Sequence, residues 1–183
     1  MGFMNREIER KFVVKGVTQM QAVRNYMDRT YPDPEEIIIG KSKDVYFNPP
    51  NDSKADFARV RFSHDSKKGQ LTLKSSDKGN NVDRIEIDVE VEDADQAVEF
   101  CKILINTEPS GIIDKRYIVY ILDKKDTTVS LYQIVGDQRI FLEIEARALD
   151  KVDKVLAEIK KDLPYALESL DKSLFQIFVE KVG

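Results

Sequence analysis

Near the N-terminus, the stretch NREIERKFVVK sets Glu7, Glu9 and Lys11 two apart, with Ile8, Arg10 and Phe12 between them. On a β-strand side chains alternate between faces, so both carboxylates and the ammonium share one side. The arrangement returns along the chain. Arg59 and Arg61 oppose Val60 and Phe62, and Lys74 closes the alternating LTLK. Arg84, Glu86, Asp88 and Glu90 oppose Ile85, Ile87, Val89 and Val91, and Glu143 and Glu145 oppose Leu142 and Ile144. Clustered carboxylates are hard oxygen ligands for Mg2+ or Mn2+. Arginine and lysine match the oxygens of a polyphosphate. Acids and bases sorted onto particular strands fit a metal–polyphosphate complex better than either component alone.

These side chains need a scaffold that turns them to one side. Strand-like alternation runs over residues 5–14, Lys43–Phe47, Phe57–Ser63, Gln70–Ser75, Val82–Glu92 and Ile112–Asp123, and two further runs form a hairpin turning near Gly136 and Asp137. That makes about eight strands. Helical spacing falls between them. Thr18 caps a helix to about Thr30, with Met20, Val23 and Met27 on one stripe; residues 93–106, 148–162 and the tail 165–182 follow. Strand by strand, a charged face is an ordinary solvated surface. The sorting of acids and bases points instead to a lined cavity, which must be wet or filled by a counter-charged ligand. The expectation is an α+β fold. Its sheet would be a closed eight-stranded antiparallel barrel with a charged interior, covered outside by about four helices.

The bulk composition narrows the setting. At 183 residues, 42% apolar and 34% charged, the chain fits a single domain over 1–183 with a real core. A net charge of −4 gives no basis for a stable nucleic-acid complex. Cys101 is the only cysteine, so no disulfide forms within the chain. No apolar run reaches the length of a membrane span and no apolar signal core opens the chain, so a soluble cytoplasmic protein is expected. His64 reads as a solvent-facing loop residue, Cys101 as core, and GKSK at 40–43 as a mobile basic loop lacking the rest of a phosphate-binding motif. Lys67, Lys68 and Lys78 read as solvated turn residues.

EIERK resembles the E-x-E-x-K element of the CYTH domain, also called the triphosphate tunnel metalloenzymes. DVYF at 44–47, ARVRF, LTLK, RIEID and FLEIEA resemble the elements that follow it, in the same order, across roughly residues 5–175. The resemblance implies an eight-stranded tunnel that binds triphosphate with a divalent metal. Family members include inorganic, thiamine and RNA triphosphatases and class IV adenylate cyclases. Carried over by position, Glu7, Glu9, Glu143 and Glu145 would bind metal, Mg2+ or Mn2+. Glu86 and Asp88 would join them or orient the bases. Lys11, Arg59, Arg61, Lys74 and Arg84 would bind phosphate.

Two departures stand out. Where the family has K-x-R, this chain has Lys115 and Arg116 adjacent. Both are phosphate-binding candidates, but neighbours on a strand face opposite ways, so only Lys115 or Arg116 enters the tunnel unless a bulge intervenes; Lys115 is favoured, with Tyr117 on its side. Where many members carry an Asp before the late hairpin, this chain reads Leu131-Tyr132-Gln133. The activity implied is a metal-dependent triphosphatase cleaving the terminal phosphoanhydride of inorganic triphosphate or a nucleoside or organic triphosphate, with Lys115, Glu9 and Glu145 catalytic. The alternatives are a class IV adenylate cyclase, making cyclic AMP and pyrophosphate from ATP, and a non-catalytic polyphosphate- or nucleotide-binding module. The expected partner is a triphosphate-containing small molecule, with no membrane involved and a homodimer left open.

Overall fold

The computed structural model describes residues 4–50, 55–63, 65–76, 83–122 and 126–179; the side chains of 4–7, 76 and 83–85 lie outside the description. Glu7 and Arg84 are therefore placed by backbone alone, and His64 and Lys78 lie outside the described residues. The elements are β1 (Met4–Val14), α1 (Met20–Thr30), β2 (Glu36–Phe47), β3 (Phe57–Ser63), β4 (Gly69–Ser76), β5 (Asp83–Val91), α2 (Ala94–Ile105), β6 (Gly111–Leu122), β7 (Thr127–Ile134), β8 (Ile140–Ala146), α3 (Leu149–Asp162), β9 (Leu167–Leu170) and α4 (Leu174–Phe178).

Among the described residues, the α+β class and the four helices follow the sequence reading, and the strands form one large antiparallel sheet. The expected closed barrel of eight strands is corrected to a sheet of nine. The ninth, β9, lies in the tail read as one helix. Leu167, Leu170 and Leu174 have helical spacing, but Pro164 follows the end of α3 and favours extended backbone before it. The chain then pairs with β1, Leu167 opposite Val14 and Leu170 opposite Lys11. Among the described residues of that tail, Leu174–Phe178 is helical, opened by a capping box in which the side chains of Ser173 and Gln176 each bond the other's backbone. A second correction concerns GKSK: Gly40–Lys43 belongs to β2, which begins seven residues before the expected Lys43. A third is the start of α1, where Gln19 rather than Thr18 occupies the cap and makes no side-chain bond.

The chain forms two compact units. The first comprises residues 1–6, 41–114 and 172–183, with strand order β5-β4-β3-β2. Its core joins Val45, Phe47, Ala58 and Val60 to Ala94, Ala97 and Cys101 of α2. Cys101 is core, as expected, and burial raises its thiol pKa. Asp93 caps α2 by accepting from the Gln96 amide. The second unit comprises residues 7–40 and 115–171, with order β6-β7-β8-β1-β9. Phe12, Val14, Ile118, Tyr120, Val129, Leu131, Ile140, Leu142 and Ile144 turn one sheet face toward α1 and α3. Val23 and Met27 of α1 and Val152 and Ile159 of α3 are fully buried against it. Each such side chain is worth roughly 1.5–3 kcal/mol of burial. Tyr26 ties the two helices by donating to the Ile159 carbonyl at 2.8 Å. Because this apolar face is committed to helices, the alternate residues of every strand are left to the other face.

Candidate functional site

In the second unit the opposite face is set by register. Lys11 stands across from Glu143 and Glu9 from Glu145 on β1 and β8. Glu143 faces Ser130 and Glu145 faces Thr128 on β7, and Tyr132 faces both Phe141 of β8 and Tyr117 of β6. Glu9, Glu143 and Glu145 bring carboxylate oxygens within 4.8 Å of one another. Glu9 is buried and the other two are half-buried. The Lys11 ammonium lies 2.7 Å from Glu9 Oε1 and 3.8 Å from Glu143 Oε2. Arg10, on the other face, instead pairs with Asp153 at 2.9 Å. The choice between Lys115 and Arg116 is resolved by exposure: Lys115 is 7% exposed, while Arg116 points to solvent. The Lys115 ammonium sits 5.4 Å from the Tyr132 ring centroid. The Tyr132 hydroxyl donates to Glu143 Oε2 at 3.2 Å, and its ring stacks on Phe141 with centroids 5.3 Å apart. Asp137 takes no part, since Arg139 binds it in the turn and holds its carboxyl below the usual range.

The first unit carries a second charged face. Asp44 faces Arg61 and Tyr46 faces Arg59 across β2 and β3; Arg59 faces Thr72, and Thr72 and Lys74 face Asp88 and Glu86. The contacts follow that register. Arg61 grips Asp44 with Nε and Nη2 at 2.8 and 2.9 Å. Arg59 donates to Thr72 at 3.1 Å, and the Thr72 hydroxyl donates to Asp88 at 2.6 Å. Lys74 lies 2.5 Å and Arg59 3.7 Å from Glu86. Burial, then the Glu86 charge, raises the Asp88 pKa. Burial, then Asp44, pushes the Tyr46 phenol up to about 12. Tyr46 and Phe57 meet Phe175 of α4, with ring centroids 5.6 and 5.5 Å from its own.

The structure thus gathers Glu9, Lys11, Lys115, Glu143 and Glu145 on one face of the second unit. It gathers Arg59, Arg61, Lys74, Glu86 and Asp88 on one face of the first. Arg116 leaves the set. Asp44, Thr72 and Tyr132, which contact assigned residues on these faces, had no assigned role in the sequence. Alternation carried the signal for Asp44 with Ser42 and for Thr72 with Lys74. Tyr132 gives no such signal, because its hydroxyl acts only once β7 and β8 are in register. The two faces differ in charge order. Acids meet bases across strands in both units, but in the second Glu9 and Glu145 also stand directly opposite each other, a like-charge pairing that weakens a sheet.

Residues 5–174 match the CYTH domain. The chain belongs to the CYTH family. Solved structures similar to this CYTH chain include a conserved hypothetical protein of Pyrococcus furiosus, 24% identical, covering 94% of this chain and 99% of that one at a TM-score of 0.74. A Pyrococcus horikoshii protein is 24% identical over 93% and 98% of the two chains, with a TM-score of 0.68. A Hippeastrum protein described as an adenylyl cyclase with dominant triphosphatase activity is 17% identical over 97% and 96%, at 0.66. At these identities the likeness shows the fold. No curated protein matches the chain. Among the described residues, no helix is long and apolar enough to cross a membrane.

Proposed function

We propose that this chain, as a single CYTH domain over residues 1–183, is a divalent-metal-dependent triphosphatase cleaving the terminal phosphoanhydride of inorganic triphosphate or of a nucleoside or organic triphosphate. One observation carries the reading: the oxygens of Glu9, Glu143 and Glu145 lie within 4.8 Å of one another. Carboxylates held this close repel, and a cation relieves them. The donor set fits Mg2+ or Mn2+, since oxygens on opposite sides of a Mg2+ ion stand about 4 Å apart. Glu9, Glu143 and Glu145 would hold the ion, and Glu7, two residues before Glu9 in β1, is assigned beside them. A bound ion would polarise phosphate oxygens and neutralise charge growing on the leaving group.

The chain's own groups take the remaining tasks. Lys11 would exchange part of its hold on Glu9 for a phosphate oxygen. Lys115, nearly buried, would orient the terminal phosphate. Arg59, Arg61, Lys74 and Arg84, in the first unit, keep the phosphate-binding role that the resemblance implies. Of the two roles open to Glu86 and Asp88, orienting the bases is better supported, because Glu86 lies against Lys74 and Arg59 and Asp88 holds Thr72.

The test is a substrate panel of tripolyphosphate, ATP, GTP, thiamine triphosphate and 5′-triphosphorylated RNA, each with Mg2+ or Mn2+. Phosphate release, with ADP from ATP, is expected, and Glu9→Gln should abolish it without unfolding the protein. Cyclic AMP and pyrophosphate would mark the cyclase instead. Tight binding without turnover would mark a binding module, and neither binding nor turnover would end the triphosphate reading.

A further inference from the structure

We infer that Tyr132 is a positioning residue of this site, acting through two separable contacts: its hydroxyl fixes Glu143 for the ion, and its ring fixes Lys115 for the substrate. The inference rests on the metal-dependent reading above. Its ground is geometric. The hydroxyl lies 3.2 Å from Glu143 Oε2, and Glu143 belongs to the carboxylate group. The Lys115 ammonium lies 5.4 Å from the centre of the same ring. The ring is itself immobilised: Tyr132 is buried and stacked on Phe141 at an interplanar angle of 9°. A rigid ring that holds an acid by its edge and a cation by its face ties the position of each to one fixed side chain. Glutamate has three side-chain torsions and lysine four, so both lose much freedom when fixed. Partners beyond the ligands commonly set metal affinity by aiming them, and cations favour the face of an aromatic ring.

The two contacts predict different losses. Tyr132→Phe removes the hydroxyl and keeps the ring, so Mn2+ binding to the substrate-free protein, read by calorimetry, should weaken about tenfold. The KM for tripolyphosphate at saturating Mn2+ should stay near that of the parent. Tyr132→Leu removes both contacts and should raise that KM at saturating metal by about fivefold or more, in line with the roughly 1 kcal/mol of a lost cation–π contact. Melting curves for both variants separate these effects from unfolding; if the leucine variant melts early, the phenylalanine variant still tests the hydroxyl by metal affinity. Parent-like Mn2+ affinity in Tyr132→Phe, while the parent binds Mn2+ well, would overturn the inference and leave the metal reading standing. A parent that binds no Mn2+ would overturn both.

Discussion

Asp44 and Arg61 offer a graded test of the buried charges. Asp44 has no exposed surface, whereas the Arg61 side chain is 32% exposed and its fork holds the carboxylate at 2.8 and 2.9 Å. Either substitution loses the same ion pair, but the survivors differ. In Asp44→Asn the arginine can turn toward water and the amide oxygen can still accept, so the loss is the charge assistance, about 2 kcal/mol. In Arg61→Ala the carboxylate stays buried on the Ser42 and Tyr46 hydroxyls with the Arg61 charge gone, which costs about 3–5 kcal/mol. For a chain of 183 residues, at roughly 3 °C per kcal/mol, Tm should fall by about 6 °C and about 12 °C respectively. Calorimetric melts at pH 7 read the difference. A carboxylate buried without its cation prefers to be protonated, so Arg61→Ala should recover on acidification and Asp44→Asn should not. Equal losses, or the larger loss in Asp44→Asn, would refute the reasoning that desolvation of the survivor sets the cost.

Two further outcomes follow from the same contacts. Asp88 has its pKa raised by burial and by Glu86, so the folded protein binds a proton that the unfolded chain releases, and this group's contribution to stability falls as pH rises through the raised value. Urea unfolding from pH 4 to 7 should show that loss, and Asp88→Asn should flatten it; an unchanged slope would mean Asp88 titrates normally. Gly40→Ala would put a methyl 2.6 Å from the Tyr117 hydroxyl and 2.7 Å from its Cζ. It should cost about 1–3 kcal/mol, largely recovered in Gly40→Ala/Tyr117→Ala, as chemical denaturation would show.

The sequence disclosed the charged faces for a simple reason. A strand repeats every two residues, so Glu9 with Lys11, Arg59 with Arg61, and Glu143 with Glu145 share faces whatever the strands pair with. Pairing itself was not legible. The grip of Arg61 on Asp44 and of Tyr132 on Glu143 depends on which strands neighbour each other and in what register, which no single strand encodes. The tail failed for the opposite reason: Leu167 and Leu170 satisfy a helical period, and the decisive fact, that β1 offers an edge to pair with, lies some 150 residues away. GKSK failed because Gly40 looks like a loop residue in isolation, whereas in β2 it is the residue that leaves room for Tyr117.

Charge order argues further than the census of charges. Acids set against bases across strands stabilise a sheet, as Asp44 with Arg61 and Glu86 with Lys74 do in the first unit. The second unit sets Glu9 directly against Glu145. Like charges so placed weaken a sheet by about 0.2–1 kcal/mol, and local rules are broken most often where function requires it. A variant that removes the repulsion should therefore gain stability as it loses activity. With metal removed by chelator, Glu145→Gln should melt about 1–3 °C above the parent; with Mn2+ added, the parent should gain stability and the variant should not. If Glu145 served only to hold the sheet through ion pairs, the variant would melt lower in chelator and the metal response would survive, and the carboxylate cluster would then have no claim to be a metal site.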